Sequence, residues 1–113
     1  MKITNATKNT ILAENARVAA TFLGRAMGLL GRSSLSKGEA LVLNDCRAVH
    51  MFFMKFSIDV IFLDQFNRVY GVIENLRPFQ VSPIFLLAKR AIELPSGSIK
   101  ESSTGIGDLI RMD

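Results

Sequence analysis

Residues 57–64 read Ser-Ile-Asp-Val-Ile-Phe-Leu-Asp, and this run decides the fold class. Ile58, Val60 and Phe62 occupy one face of an extended chain, and the intervening positions place an isoleucine and a leucine on the other face. Apolar residues on both faces indicate a central strand that is covered on both sides. Asp59 interrupts this apolar run, and a carboxylate at that position must be exposed at a sheet edge or paired.

The sequence on either side of this strand predicts further short strands. They are expected in 1–18 (two strands that turn near Lys8-Asn9), 39–44, 47–55, 68–74, 90–94 and 107–112. The residues at positions 64–67 are turn formers, which predicts a hairpin after the central strand. Pro78 and Pro83 bracket an irregular connection, and residues 84–89 are predicted to form a short helical turn.

One amphipathic helix is predicted over residues 19–30. Its apolar residues recur at three- and four-residue steps, namely Phe22, Leu23, Ala26, Met27 and Leu30. Gly31 follows the last of them, at the position where a helix commonly ends. The predicted fold class is therefore α+β: a mostly antiparallel curled sheet or partly open β-barrel with one main helix packed on it. The length of 113 residues predicts a single domain over residues 1–113.

The charge of the chain is modest and dispersed. Basic residues outnumber acidic ones, 14 to 10, which gives a net charge of +4. The cationic side chains of the first half are spaced singly, at Arg17, Arg25, Arg32, Lys37, Arg47 and Lys55 among others. Dispersed charges are typical of a solvated surface, so nucleic-acid binding is not favoured. No apolar run approaches the ~18 residues that span a bilayer, so membrane insertion is not expected.

The cysteine content indicates a reducing compartment. Cys46 is the only cysteine, so an internal disulfide is impossible. Residues 1–10 are polar and lack the apolar core of a signal peptide. The sequence therefore predicts a cytoplasmic protein.

The stretch from Cys46 to Met54 is the richest in reactive side chains. Cys46, His50 and Met54 offer the thiolate, imidazole and thioether ligands of a soft ion such as Cu(I), and Cys46 with His50 can also form an activated nucleophile. On a strand these residues share one face but lie about 13 Å apart in steps of four residues. That spacing favours a buried cysteine and a hydrogen-bonded histidine near the core. No metal site and no cofactor are therefore expected.

Asp59 is the second candidate for chemistry. If it meets an arginine such as Arg32 beside His50, the cluster can bind a small polar ligand or assist acid–base chemistry. A structural ion pair that joins the helix to the sheet, with Arg25 or Arg32 as the partner, is the favoured interpretation.

Several segments resemble the domain of unknown function 192 family, in order and in spacing, from about residue 23 to residue 109. They are Gly24-Arg25, residues 28–32 with Leu35, residues 53–55 followed by 58–64, residues 93–97, and Gly107-Asp108. The resemblance implies a compact β-rich fold with a packed helix and no established activity. It also implies a tryptophan in the central signature, where this chain has Phe53, and export signals in many members, from which this chain departs.

The sequence predicts a small binding module whose ligand is an unknown small molecule or protein. Its expected site lies near the helix C-terminus and the central strand, with Arg32, His50, Met54 and Asp59 as ligand-binding residues. Two alternatives stay open. The first is an enzyme with His50 as general base or Cys46 as nucleophile, assisted by Asp59. The second is a soft-metal handling protein with Cys46, His50 and Met54 as ligands. The oligomeric state is left open.

Overall fold

The computed structural model describes residues 1–19, 35–51 and 54–113. Within them the chain forms strands β1 (Ile3–Asn5), β2 (Thr10–Ala13), β3 (Asn15–Ala19), β4 (Glu39–Asn44), β5 (Ile58–Leu63), β6 (Val69–Leu76), β7 (Arg90–Pro95) and β8 (Ile110–Met112), with helix α1 (Ser98–Ser102) between β7 and β8.

The larger sheet has five strands in the order β3-β4-β7-β5-β6. Strands β3 and β4 run parallel, whereas every other neighbouring pair is antiparallel. The predicted central strand is confirmed: β5 lies between β7 and β6, and all six of its residues are buried. The hairpin that follows it is also confirmed, and Asn67 takes a left-handed conformation (φ 60°) in its turn.

The smaller sheet joins the two ends of the chain. Its order is β2-β1-β8, so the first strand pairs with the last. Ile3 lies opposite Met112, and the backbone groups of Lys2 and Asp113 bond to each other. The predicted turn near Lys8-Asn9 is confirmed by the β1–β2 pairing and by the left-handed Asn9 (φ 57°).

Two apolar cores lie on opposite faces of the larger sheet. The first contains Ile58, Val60 and Phe62 of β5 together with Cys46 and the buried methionines. The second contains the alternate residues of β5, and it fills the space between the larger sheet, the smaller sheet and α1. The alternation read from residues 57–64 thus separates the two cores.

The structure corrects several predictions of architecture. The described strands form two mostly antiparallel sheets, which agrees with the predicted small β-rich α+β domain, but one sheet is mixed and they form no closed barrel. The predicted strand over residues 47–55 is wrong in its described part, where only His50 forms an isolated bridge, to Val81. The left-handed Asp45 (φ 52°) turns the chain out of β4 just before this segment. The predicted helix over residues 19–30 falls outside the described residues except for Ala19, which ends β3. The described residues include no helix long and apolar enough to cross a membrane.

Phe85 anchors the long connection between β6 and β7 to the larger sheet. Its ring stacks on Phe62 with centroids 4.4 Å apart and meets Tyr70 edge-on. Gly71 of β6 makes this approach possible, because a Cβ atom there would lie 2.7 Å from Cδ1 and 2.9 Å from Cζ of Phe85. The glycine therefore marks a close contact rather than a turn.

Replacing Gly71 with alanine is expected to lower the free energy of unfolding by about 2 kcal/mol, because the added methyl group must displace the Phe85 ring. Urea denaturation measures this change. Gly105→Ala is the matched control: its new Cβ would meet only Lys8 Nζ, at 4.0 Å, and should be nearly neutral. In a Phe85→Ala background the effect of Gly71→Ala should disappear, and an undiminished effect would refute the contact.

Candidate functional site

Two irregular segments pair along one side of the larger sheet. The N–H of Phe85 donates to the carbonyl of Arg47, and the N–H of Ser82 donates to that of Val49. Further along, the N–H of Met51 donates to the carbonyl of Gln80. We call residues 46–51 and 79–89 together the ribbon. Its backbone bonds fix the connection between β6 and β7 in place although it has no regular secondary structure.

The candidate residues Cys46 and His50, both in the ribbon, differ in solvent exposure. Cys46 is only 1% exposed and belongs to the first core, where its thiol donates to the carbonyl of Ala48 at 3.2 Å. His50 is exposed. Because the chain is not a regular strand here, residues with even numbers do not share one face. In the described part of the chain, no three His, Cys, Asp or Glu side chains converge in a way that suits a metal ion.

Met54 and Asp59 lie on opposite sides of the larger sheet. Met54 is buried in the first core, and its N–H donates to the carbonyl of Met51. The Asp59 side chain projects toward the second core, where it contacts the backbone of Ile99. Arg32 lies outside the described residues. The structure therefore does not bring Asp59 together with Met54.

The carboxylate of Asp59 is bound by three backbone N–H groups. Its side chain is fully buried and accepts from Asn75 (2.9 Å), Gly97 (3.1 Å) and Ile99 (2.9 Å). Helix α1 has no side-chain cap of its own at Gly97, so the carboxylate from β5 supplies an acceptor for its first turn. Asp59 thus joins the end of β6, the turn after β7 and the start of α1.

A second buried polar cluster joins the two ends of the chain. Asn5 is fully buried; its amide donates to Thr104 at 3.0 Å and to Asp108 at 2.9 Å. Asp108 also accepts from Lys8 Nζ at 2.8 Å and from the N–H of Gly105 at 2.9 Å. Burial by itself raises the pKa of Asp108, but these hydrogen bonds and the Lys8 charge lower it from 3.8 to about 2. Sequence analysis missed this cluster, because its members lie about a hundred positions apart.

The outer side of the ribbon is strongly apolar. Five large side chains there are between 59 and 69% exposed: Phe79, Val81, Ile84, Leu86 and Leu87. Phe66, in the β5–β6 turn, is 71% exposed and lines the same recess as Leu86 and Leu87. The sequence signal for this surface is the run Ile-Phe-Leu-Leu at positions 84–87, for which the sequence predicts a helical turn. Of these four side chains, Phe85 is partly buried and the other three are exposed.

The recess beside the ribbon has a mixed lining. Its volume is about 370 Å³, and its walls are Arg47, Asp64, Gln65, Phe66, Leu86, Leu87 and Lys89. Asp64 is already engaged, since its Oδ1 accepts from the N–H groups of Phe66 and Arg68. A second recess, of about 590 Å³, lies between β2 and α1 and is crossed by the exposed ion pair of Lys37 with Glu101.

Comparison with known proteins connects the chain to an uncharacterised family. The sequence model of the DUF192 family, described as "Uncharacterized ACR", matches residues 2–112. A UPF0127 protein of Pyrococcus horikoshii is 33% identical over 112 residues, which cover 96% of each chain. A UPF0127 protein of Thermococcus gammatolerans is 35% identical over 115 residues, which cover 98% of this chain and 74% of that one.

A solved structure shares the fold. The crystal structure of a protein of unknown function from Novosphingobium aromaticivorans superposes with a TM-score of 0.80 at 19% sequence identity. The superposition covers 98% of this chain and 82% of that one. At this identity the likeness describes the fold alone.

Proposed function

Because the chain belongs to the domain of unknown function 192 family, which has no established activity, we propose a function from its own surface: a small module that docks a protein partner on the ribbon. The observation that carries the proposal is the group of five exposed apolar side chains on residues 79–87. Single exposed apolar residues are ordinary, whereas a group of them on one connection is typical of an interaction surface.

The ribbon is held in a form suited to binding before a partner arrives. The backbone bonds from residues 79–85 to residues 47–51 fix its course, and the Phe85 ring holds it against the sheet. Side chains presented by an ordered backbone lose less conformational entropy on association than those of a mobile loop. This supports a protein partner over a small molecule, since the exposed apolar side chains extend from Phe79 to Leu87, beyond the recess that Leu86 and Leu87 line.

Of the predicted ligand-binding residues, the proposal uses His50. It is exposed and is bridged to Val81 in the middle of the ribbon, so it adjoins the apolar group. Met54 packs in the core behind the ribbon, and Asp59 serves α1 on the far side of the sheet. A buried thiol and a carboxylate on opposite faces of the sheet give no support to the alternatives of an enzyme or a soft-metal protein.

A photo-crosslinking experiment tests the proposal. The chain is expressed in its native organism with a photo-crosslinking phenylalanine analogue at position 86. Irradiation should yield one discrete covalent adduct. The same analogue at position 11, where Ile11 is 53% exposed on β2, should yield none. The partner identified from the adduct, once purified, should bind the wild-type chain. A Leu86→Ser/Leu87→Ser variant should bind at least about tenfold more weakly in calorimetry.

Other outcomes decide against a docked partner. Equal adducts from positions 86 and 11 would indicate random encounters. An adduct with a second copy of the chain would indicate self-association instead of binding to a different protein. Both serines replace exposed residues, so the variant should keep the wild-type unfolding midpoint.

We also propose that the chain is one domain that works in the cytoplasm. The pairing of β1 with β8 supports a single folding unit. A lone cysteine with its thiol buried in the core supports a reducing compartment.

A further inference from the structure

The recess beside the ribbon has a polar half that the apolar group does not explain. Resting on the proposed function, we infer that the docked partner presents an acidic side chain next to an apolar one. The apolar side chain sits against Phe66, Leu86 and Leu87. The carboxylate meets Arg47 and Lys89.

The two cations of the recess are available to a partner. Among the described residues, neither Arg47 nor Lys89 has a side-chain hydrogen bond or ion pair, and both are exposed. Two acids stand nearby. The Oδ1 atom of Asp64 accepts two N–H groups of its own turn, and Asp45 lines the adjoining recess with Arg47 and Lys89.

The backbone holds both cations at the rim. The N–H of Lys89 donates to the carbonyl of Leu63 at 2.7 Å, and its own carbonyl accepts from Asp45 at 2.7 Å. The carbonyl of Arg47 accepts from Phe85 at 2.8 Å. The stems of Arg47 and Lys89 therefore start from fixed points in the wall of the recess, which favours one bound carboxylate over diffuse attraction.

The acid in the lining of the recess, Asp64, argues for a peptide over a lipid surface. An anionic membrane favours a field of one sign, whereas this recess mixes two cations with Asp64 in about 370 Å³. One acidic side chain of the partner can pair with both Arg47 and Lys89. The apolar side chain next to it in the partner then separates that carboxylate from Asp64.

Panning of a library of short random peptides against the full chain tests the inference. The enriched peptides should carry Asp or Glu adjacent to Leu, Ile, Phe or Met. A synthetic copy of the best one should bind about tenfold more weakly to the Arg47→Gln/Lys89→Gln variant. The charge-matched control, Lys100→Gln/Arg111→Gln on α1 and β8, should bind as the wild type does. Changing the peptide acid to its amide should reproduce the loss.

The outcomes separate this inference from the proposed function. Peptides that are apolar but uncharged, and that lose binding to Leu86→Ser/Leu87→Ser but not to Arg47→Gln/Lys89→Gln, would overturn the acidic partner and leave the docking surface intact. Failure to enrich any peptide dependent on Leu86 would overturn both. Co-sedimentation with phosphatidylserine vesicles in the absence of peptide binding would likewise overturn the inference in favour of a membrane.

Discussion

An Asp59→Ala variant is expected to be about 4 kcal/mol less stable than the wild type, measured by urea denaturation. The substitution leaves the N–H groups of Asn75, Gly97 and Ile99 without their acceptor; the bond to Ile99 is buried, and the bonds to Asn75 and Gly97 are partly buried. Each unsatisfied buried donor costs about 1–3 kcal/mol. Asn at position 59 should have an intermediate effect, because it keeps one acceptor oxygen but turns an NH₂ group toward donors.

Asp64 provides the matched control for this prediction. Its carboxylate also accepts two backbone N–H groups, those of Phe66 and Arg68, but in an exposed turn. Water can replace the carboxylate there, so Asp64→Ala should cost less than about 1 kcal/mol. Equal effects at the two positions would mean that the burial of Asp59 contributes nothing. Near-ultraviolet circular dichroism at low denaturant should confirm that both variants are folded before they are compared.

Acid is expected to remove about 2 kcal/mol of stability through Asp108. The folded pKa of Asp108 is about 2, below the ordinary value of 3.8, so the unfolded chain takes up its proton first as the pH falls. The stabilisation is therefore complete above about pH 5 and is lost progressively as the pH falls through 3.8 towards 2. The magnitude is discounted for screening by water at Lys8, whose side chain is 40% exposed.

Asp108→Asn should remove this dependence. The variant should be about 2 kcal/mol less stable at pH 7 and closer to the wild type at pH 2.5, because it lacks the ionisable group but keeps a similar shape. Urea denaturation at a series of pH values gives both curves. Lys8→Met should retain the slope in part, since the bonds from Asn5 and Gly105 remain. A wild-type slope preserved in Asp108→Asn would assign the acid sensitivity to other carboxylates.

Local pattern was sufficient for the regular part of the larger sheet. Strand β4 was predicted over residues 39–44, as it is found, and β5 and the hairpin to β6 differ from their predictions by at most two residues at each end. These segments carry their own signal, because apolar alternation and turn residues lie within a few positions of each other. Strand β3, which pairs with β4, was not separated from the preceding strand, and the five-residue helix α1 is too short to show a helical period.

The candidate site was harder to predict because its geometry depends on irregular backbone. A strand over residues 47–55 would have put Cys46 and His50 on one face, whereas pairing with residues 79–85 buries the first and exposes the second. The sequence predicts that Asp59 is either exposed at a sheet edge or paired, and it does not predict the backbone N–H groups that bind it, because such groups leave no mark in a sequence. The sequence predicts an irregular connection near Pro78 and Pro83 and a helical turn over residues 84–89, but hydrophobicity alone does not say which of their side chains face solvent.

The pairing of β1 with β8 has a consequence for synthesis of the chain. Strand β1, the inner strand of the smaller sheet, is synthesised well before its partner β8 and before Asp108, to which Asn5 donates. The edge of β1 that binds β8 must therefore stay unpaired until residues 108–112 have left the ribosome, although β2 can pair with the other edge of β1 sooner. Because Lys2 and Asp113 are adjacent, a short linker should join them, and new termini can be placed in another loop to give a circularly permuted chain. In that chain β8 and β1 are synthesised one after the other.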